Sequence, residues 1–112
     1  MNISNRHKII ILKDRSEINL VFKKGRKVAT RFGPVFLYNA RDDQNYKKVA
    51  ILLKKSIGTA VKRNYVKRII RTFIRENRSF FEENNRIIFI YSSKEPVNYK
   101  LLKQEYRRTL QR

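Results

Sequence analysis

The sequence has no cysteine, and its 112 residues include only three glycines, two prolines and one histidine. Without cysteine the chain can form neither a disulfide framework nor a thiolate metal site, which is typical of proteins in a reducing cytosol. Three scattered glycines are too few for a glycine-rich loop that cradles phosphates. The single histidine, His7, lies between Arg6 and Lys8, and we interpret it as an incidental surface residue.

Long hydrophobic runs are also missing. No apolar run approaches the ~18 residues that are needed to span a membrane. Residues 9–12 are aliphatic, but this run is too short to be the core of a signal peptide. We therefore expect a cytoplasmic protein that has no membrane partner.

Acidic residues are scarce, which argues against most enzyme classes. The chain has nine Asp and Glu against 28 Lys and Arg, and its formal net charge is +19. Asp42 is adjacent to Asp43, and Glu82 to Glu83, and neighbouring side chains point apart in regular structure. We interpret both pairs as solvated loop residues, so no catalytic residue and no metal ligand is predicted. A charge this large repels itself in the compact state and indicates an anionic partner.

Much of the positive charge falls on one predicted helix, which begins at Thr59 or Ala60 and extends to about Arg78. Helical periodicity gives it one apolar arc and, opposite to that, one basic arc. The apolar arc contains Tyr65, Val66, Ile69, Ile70, Phe73 and Ile74, and the basic arc contains Asn64, Lys67, Arg68, Arg71 and Arg75. Lys62 and Arg63 lie near the positive end of the helix macrodipole, where each such charge costs about 0.3–1 kcal/mol. The pattern predicts that a polyanion binds here, and a merely solvated basic face is the alternative.

The other predicted elements follow from periodicity and from helix-breaking residues. A first helix covers 16–24, with Ser16 as its N-cap and Gly25 as its stop. Strands are predicted at 35–38, 48–54 and 87–91, with a possible short strand at 28–30. A last helix follows Asn98, and its apolar side carries Leu102, Tyr106 and Leu110.

The connecting segments complete the predicted fold. Residues 39–46 have the composition of a hairpin connection, residues 82–85 form a polar loop, and residues 1–15 are an ordered lead-in. With no repeat and no linker rich in Pro or Gly, residues 1–112 are expected to form a single domain. The predicted fold class is α+β, in the order α-β-β(-β)-α-β-α, with a small and mainly antiparallel sheet.

The charge pattern favours nucleic acid as the anionic partner. Lys and Arg side chains neutralise phosphates and release counterions, which makes binding depend steeply on salt. Aromatic side chains beside such a surface can stack on unpaired bases. Phe22 and Tyr38 are the candidates for this role, and the alternative is that both belong to the core.

Residues 58–68 read Gly-Thr-Ala-Val-Lys-Arg-Asn-Tyr-Val-Lys-Arg. This stretch resembles the signature of the bacterial ribonuclease P protein subunit, Gly-Asn-Ala-Val-x-Arg-Asn-Arg-x-Lys-Arg, and Arg71 matches a further Arg of that family. The resemblance covers nearly the whole chain, since 12–25 look like the family's first helix and its end, and 35–38 like its sheet strand. Thr59 and Tyr65 depart from the signature's Asn and second Arg, and Ile18 stands where the family often has an aromatic.

The resemblance implies a subunit of an endoribonuclease, ribonuclease P, that binds the catalytic RNA and the 5′ leader of precursor tRNA. In that family the RNA, with its bound magnesium, removes the leader to give the mature 5′ end of the tRNA. The protein alone would then bind no cofactor and no small-molecule substrate. The resemblance also implies a β-α-β crossover around the basic helix.

The same resemblance implies two groups of site residues. The catalytic RNA would be bound by Lys55, Lys62, Arg63, Asn64, Lys67, Arg68 and Arg71. A cleft between the first helix, the sheet and the basic helix would receive the single-stranded leader, with Phe22 and Tyr38 as its contacts.

Two other functions are compatible with the sequence. Composition alone equally permits a small structural RNA-binding protein of the ribosomal type. A nuclease that uses its own carboxylates is the second alternative, although convergent acids are not evident.

Overall fold

The structure is a computed structural model that describes residues 8–41 and 46–110. His7, Asp42 and Asp43 lie outside these residues. The strands are β1 (Ile9–Ile11), β2 (Arg26–Val28), β3 (Val35–Tyr38), β4 (Lys47–Leu53) and β5 (Arg86–Tyr91). The helices are α1 (Arg15–Lys24), α2 (Ala60–Glu76), α3 (Phe80–Glu83) and α4 (Tyr99–Leu110), and a single 3-10 turn, Lys55–Ile57, precedes α2.

The strands form one sheet in the order β1-β4-β5-β3-β2. β4 lies parallel to β1 and to β5, whereas β3 lies antiparallel to β5 and to β2. The α+β fold class and the β4-α2-β5 crossover are therefore confirmed. The sheet, however, is mixed rather than mainly antiparallel.

The predicted hairpin between β3 and β4 is wrong, because β5 lies between these two strands. Five of the six residues of β5 are buried, as expected for a central strand that is covered on both faces. A polar connection such as 39–46 fits any surface loop, so its composition does not decide which strands pair.

Alternate residues of β5 divide the core into two layers. Ile87, Phe89 and Tyr91 belong to the main cluster, which includes the buried residues of α2 and α4. Ile88 and Ile90 face the opposite way and pack with Val21 of α1. The sheet thus has α2 and α4 on one face and α1 on the other.

The ends of α1 differ in part from the prediction. Asp14, not Ser16, is the N-cap: Asp14 Oδ1 accepts hydrogen bonds from the Ser16 amide at 2.9 Å and from Ser16 Oγ at 2.8 Å. These bonds stabilise the carboxylate and lower the pKa of Asp14. Gly25 ends the helix as predicted, and a Cβ atom there would lie 2.4 Å from the Val21 carbonyl oxygen.

Short elements at other places were missed or displaced. Residues of the lead-in form β1, the short strand lies at Arg26–Val28 instead of 28–30, and α3 extends into the predicted polar loop. Such short segments gain their regular structure from the sheet and helices beside them rather than from intrinsic propensity.

α4 follows the prediction. Asn98 Oδ1 accepts the Leu101 amide at 2.9 Å, and Leu102, Tyr106 and Leu110 are buried. The helix packs against α2: the Tyr106 and Phe73 ring centroids are 5.3 Å apart, and the Tyr99 hydroxyl donates to Glu76 at 2.6 Å. α2 is thereby held by the sheet and by α4, with its remaining face outward.

Candidate nucleic-acid interface

The apolar arc predicted for α2 is the side that packs on the core. Val66, Ile69, Ile70, Phe73 and Ile74 are all buried, which confirms the periodicity. Thr59 is the N-cap, with its Oγ1 accepting the Lys62 amide at 3.2 Å, and Asn77 ends the helix. Arg78 therefore lies beyond the helix.

The opposite side of α2 carries the predicted basic residues. Asn64, Arg68, Arg71 and Arg75 are exposed, Lys67 is half-buried, and Arg63 is half-buried in the first turn. The first turn contains no acidic residue. The acid of the last turn, Glu76, already accepts the Tyr99 hydroxyl. One helix thus brings together Asn64, Lys67, Arg68 and Arg71 on its outward side, and Arg63 adds a positive charge at its first turn.

The two lysines predicted to flank the helix have different environments. Lys55 is exposed in the turn before α2. Lys62 is half-buried, and its Nζ donates to the Lys94 carbonyl oxygen at 2.7 Å. Lys62 therefore fastens the chain that leaves β5 to the start of α2, a structural contact that the sequence did not predict.

Gly58 explains how the chain turns into α2 beside Lys62. Its φ is +149°, a value that favours glycine. A Cβ atom at this position would lie 2.9 Å from the Lys62 Cδ. The glycine of the signature is thus favoured by the backbone conformation, while the flexible Lys62 side chain would have to shift to make room for a Cβ atom.

Tyr65, where the chain departs from the signature, is half-buried and packs against the main core cluster. This agrees with its predicted place at the edge of the apolar arc. An aromatic ring here adds to the packing of α2, whereas the signature has a charged residue.

The predicted aromatic residues lie on the α1 side of the sheet, whereas α2 packs on the opposite side. The predicted cleft is therefore bordered by α1 and the sheet but not by the basic helix. Phe22 is 36% exposed and meets Phe36 edge to face, with ring centroids 4.9 Å apart. Tyr38 is half-buried against the smaller core cluster. Phe22 is thus at the surface, while Tyr38 contributes partly to the core.

Sequence reasoning missed two apolar residues of this face. Phe36 shares a face with Tyr38 because side chains alternate along β3, and this alternation was the available signal. Leu52 is 39% exposed and pairs with Ile90 in the β4–β5 register, which places it on the same face. Phe22, Phe36, Leu52 and Ile90 therefore line an apolar strip that α1 leaves partly uncovered.

An ionic cluster connects α1 to the same sheet face. Arg86 Nε donates to Glu17 Oε2 at 2.6 Å, and Lys48 Nζ donates to Glu17 Oε1 at 3.0 Å. The Arg86 side chain is only 3% exposed, and its Nη1 also donates to the Tyr46 carbonyl at 2.7 Å. Burial alone would raise the pKa of Glu17, but the bonds from Arg86 and Lys48 outweigh it and lower the pKa.

Neither a metal-ligand cluster nor a membrane-spanning helix is present in the part of the chain that the structure describes. Within 8–41 and 46–110, no group of three or more His, Cys, Asp or Glu side chains could hold a metal ion. In the same part of the chain, no helix is long and apolar enough to cross a membrane. What the site presents is a basic helix, an apolar strip and a buried ion pair.

Comparison with known proteins assigns the family. A family model described as Ribonuclease P matches residues 7–112. The chain belongs to the ribonuclease P protein family. A ribonuclease P protein component of Petrotoga mobilis is 32% identical over 82 residues, which cover 73% of this chain and 67% of the relative. A ribonuclease P protein component of Finegoldia magna is 30% identical over 96 residues, which cover 85% of this chain and 82% of the relative.

Solved structures of ribonuclease P proteins have the same fold. The protein from Thermotoga maritima superposes with a TM-score of 0.70 at 25% identity, covering 87% of this chain and 91% of that protein. The protein from Staphylococcus aureus superposes with a TM-score of 0.73 at 25% identity, covering 89% of this chain and 91% of that protein. The predicted resemblance is confirmed, and the chain is a protein subunit of ribonuclease P with a role in tRNA processing.

Proposed function

We propose that this chain binds the catalytic RNA of ribonuclease P through the exposed side of α2, and that the RNA carries out the hydrolysis. The observation that carries the proposal is the division of α2 into a buried apolar side and an exposed basic side. Arg63, Lys67, Arg68 and Arg71 would contact phosphates, Asn64 would add a hydrogen bond, and Lys55 would extend the positive surface. Lys62 would contribute through its charge while it stays bonded to Lys94.

The second part of the proposal concerns the 5′ leader of precursor tRNA. Single strands are commonly bound by stacking of their bases on aromatic side chains beside a positive surface. Phe22 and Tyr38 would provide these contacts on the α1 side of the sheet, together with Phe36 and Leu52. The protein thereby holds substrate and catalytic RNA in one complex in the cytoplasm, while magnesium ions bound by the RNA supply the metal chemistry.

Reconstitution tests this function directly. The purified chain is added to a ribonuclease P RNA at low magnesium, and removal of the leader from a precursor tRNA is measured against the RNA alone. We expect stimulation, because the protein's positive charge replaces part of the magnesium needed to bring two RNAs together.

Two other results would contradict the proposal. No stimulation with a cognate RNA would favour a structural RNA-binding protein of the ribosomal type. Cleavage by the purified chain without any RNA partner would favour a nuclease that uses its own carboxylates.

A further inference from the structure

Arg86 and Lys48, the two partners of Glu17, lie in one row across the sheet. Arg86 of β5 pairs with Tyr38 of β3 on one side and with Lys48 of β4 on the other. Directly paired residues point to the same face, and their Cβ atoms lie about 4.5–5.5 Å apart in an antiparallel pair. Glu17 of α1 bonds two members of this row. Tyr38, the proposed leader contact, is therefore the immediate neighbour of the cluster.

Burying Arg86 at the start of the central strand is costly for stability. A buried guanidinium loses its hydration, and an apolar residue of similar size is often at least as stabilising. What a buried ion pair offers in return is a defined geometry, because charge-assisted hydrogen bonds are short and directional.

α1 also makes apolar contacts with the sheet. Val21 is buried in the smaller cluster, Ile18 packs beside it, and Phe22 meets Phe36 at the edge. Apolar packing is non-directional, so it favours burial without setting how a short helix is rotated or shifted on a sheet. The two bonds to Glu17 supply that restraint at the first turn of α1.

We propose that Glu17 is a positioning residue for the leader cleft. Held by Arg86 and Lys48, it sets the orientation of α1 over the sheet and thereby the placement of Phe22 against Phe36 and near Tyr38. The inference rests on the proposed function, since it concerns the same cleft and the single-stranded RNA leader. It assigns Glu17 no direct contact with RNA.

Glu17→Gln tests this role, because the amide keeps the shape of the side chain and removes its charge. The matched control is Glu82→Gln on α3, an exposed position, which changes the net charge by the same amount. Each protein is assembled with the catalytic RNA. The measured quantity is the ratio of the Kd for mature tRNA, which has no leader, to the Kd for precursor tRNA with a single-stranded leader.

We expect Glu17→Gln to reduce this leader-dependent gain roughly ten-fold, about the effect of losing the stacking of one base on a displaced Phe22 ring. Affinity for the catalytic RNA should stay at the wild-type level, which shows that the protein is folded. The sign of this change is informative. If net charge alone decided the result, removing the acidic Glu17 would strengthen RNA binding instead of weakening it. Glu82→Gln should keep the full gain.

If Glu17→Gln does not fold, Glu17→Asp takes its place, because it keeps the charge and withdraws the carboxylate by about 1.5 Å, one carbon–carbon bond. If the ratio of the two Kd values in the Gln or Asp variant equalled that of the wild type, the inference would be overturned and the proposed function would remain intact. A wild-type complex that binds precursor and mature tRNA equally would overturn the proposed leader cleft, and the inference with it.

Discussion

Replacing Arg68 and Arg71 of α2 together by Ala is the sharpest test of the docking surface. Both side chains are exposed on the outward side of the helix. They are three positions apart, so their Cβ atoms lie about 5–6 Å from each other. Neither side chain belongs to the buried face of α2, so the fold should be retained.

The expected magnitude follows from counterion release. Each lost contact to a duplex phosphate lowers the slope of log K against log salt by about 0.9, so two lost contacts lower it by about 1.8. Between about 0.2 M and about 0.05 M salt, the ratio of wild-type to variant affinity should therefore grow roughly 12-fold. The assay is the Kd for catalytic RNA measured over a salt series.

The matched control is the double change of Arg31 and Arg108 to Ala, which removes the same charge from another surface. These two side chains border one shallow depression and are paired with acids, Arg31 with Glu95 at 3.2 Å and Arg108 with Glu105 at 2.8 Å. A phosphate would have to displace a carboxylate there, so the slope should change little. An equal loss of slope in both double variants would refute docking on α2 and indicate a diffuse effect of net charge.

Three further predictions concern the framework that holds the site. Tyr106→Phe should be neutral or stabilise the fold by about 1 kcal/mol in chemical denaturation, because the buried Tyr106 hydroxyl has no hydrogen-bond partner among the described residues; a clear loss of stability would contradict this. Gly33→Ala should destabilise by about 1–3 kcal/mol, since φ is +133° and the new Cβ would lie 2.3 Å from the Ile90 oxygen, and an unchanged midpoint would rule out this clash. The lowered pKa of Glu17 means that its stabilisation is present above its ordinary value of 4.5 and is lost as pH falls through the folded pKa. The stability gap between wild type and Glu17→Gln should thus be constant from about pH 6 to 7 and close in acid, whereas a gap independent of pH would argue against the ion pair.

Features that depend on neighbours along the chain could be predicted from the sequence. The two sides of α2 follow from helical periodicity, so the burial of Val66, Ile70 and Phe73 and the outward placement of Arg68 and Arg71 could be read directly. The same holds for the buried stripe of α4. The family signature added the identity of the partner RNA as an expectation, which no periodicity provides.

Features that join distant parts of the chain were decided by the tertiary structure. β5 lies between β3 and β4, which makes the sheet mixed. The composition of a surface loop does not determine which strands pair. Lys62 meets the Lys94 carbonyl, although the two residues lie 32 positions apart.

The ion pair of Glu17 and Arg86 shows the same limit most clearly. The two residues are 69 positions apart, and in the sequence each is an ordinary charged residue in a strongly basic chain. Their importance arises only when α1 folds onto β5 and removes the guanidinium from water, where an unpaired charge would be costly. The sequence by itself determined the basic helix and its likeness to a family. Only the tertiary structure, in which α1 packs on the sheet, shows that Glu17 is the carboxylate that bonds Arg86 and Lys48 beside the proposed cleft.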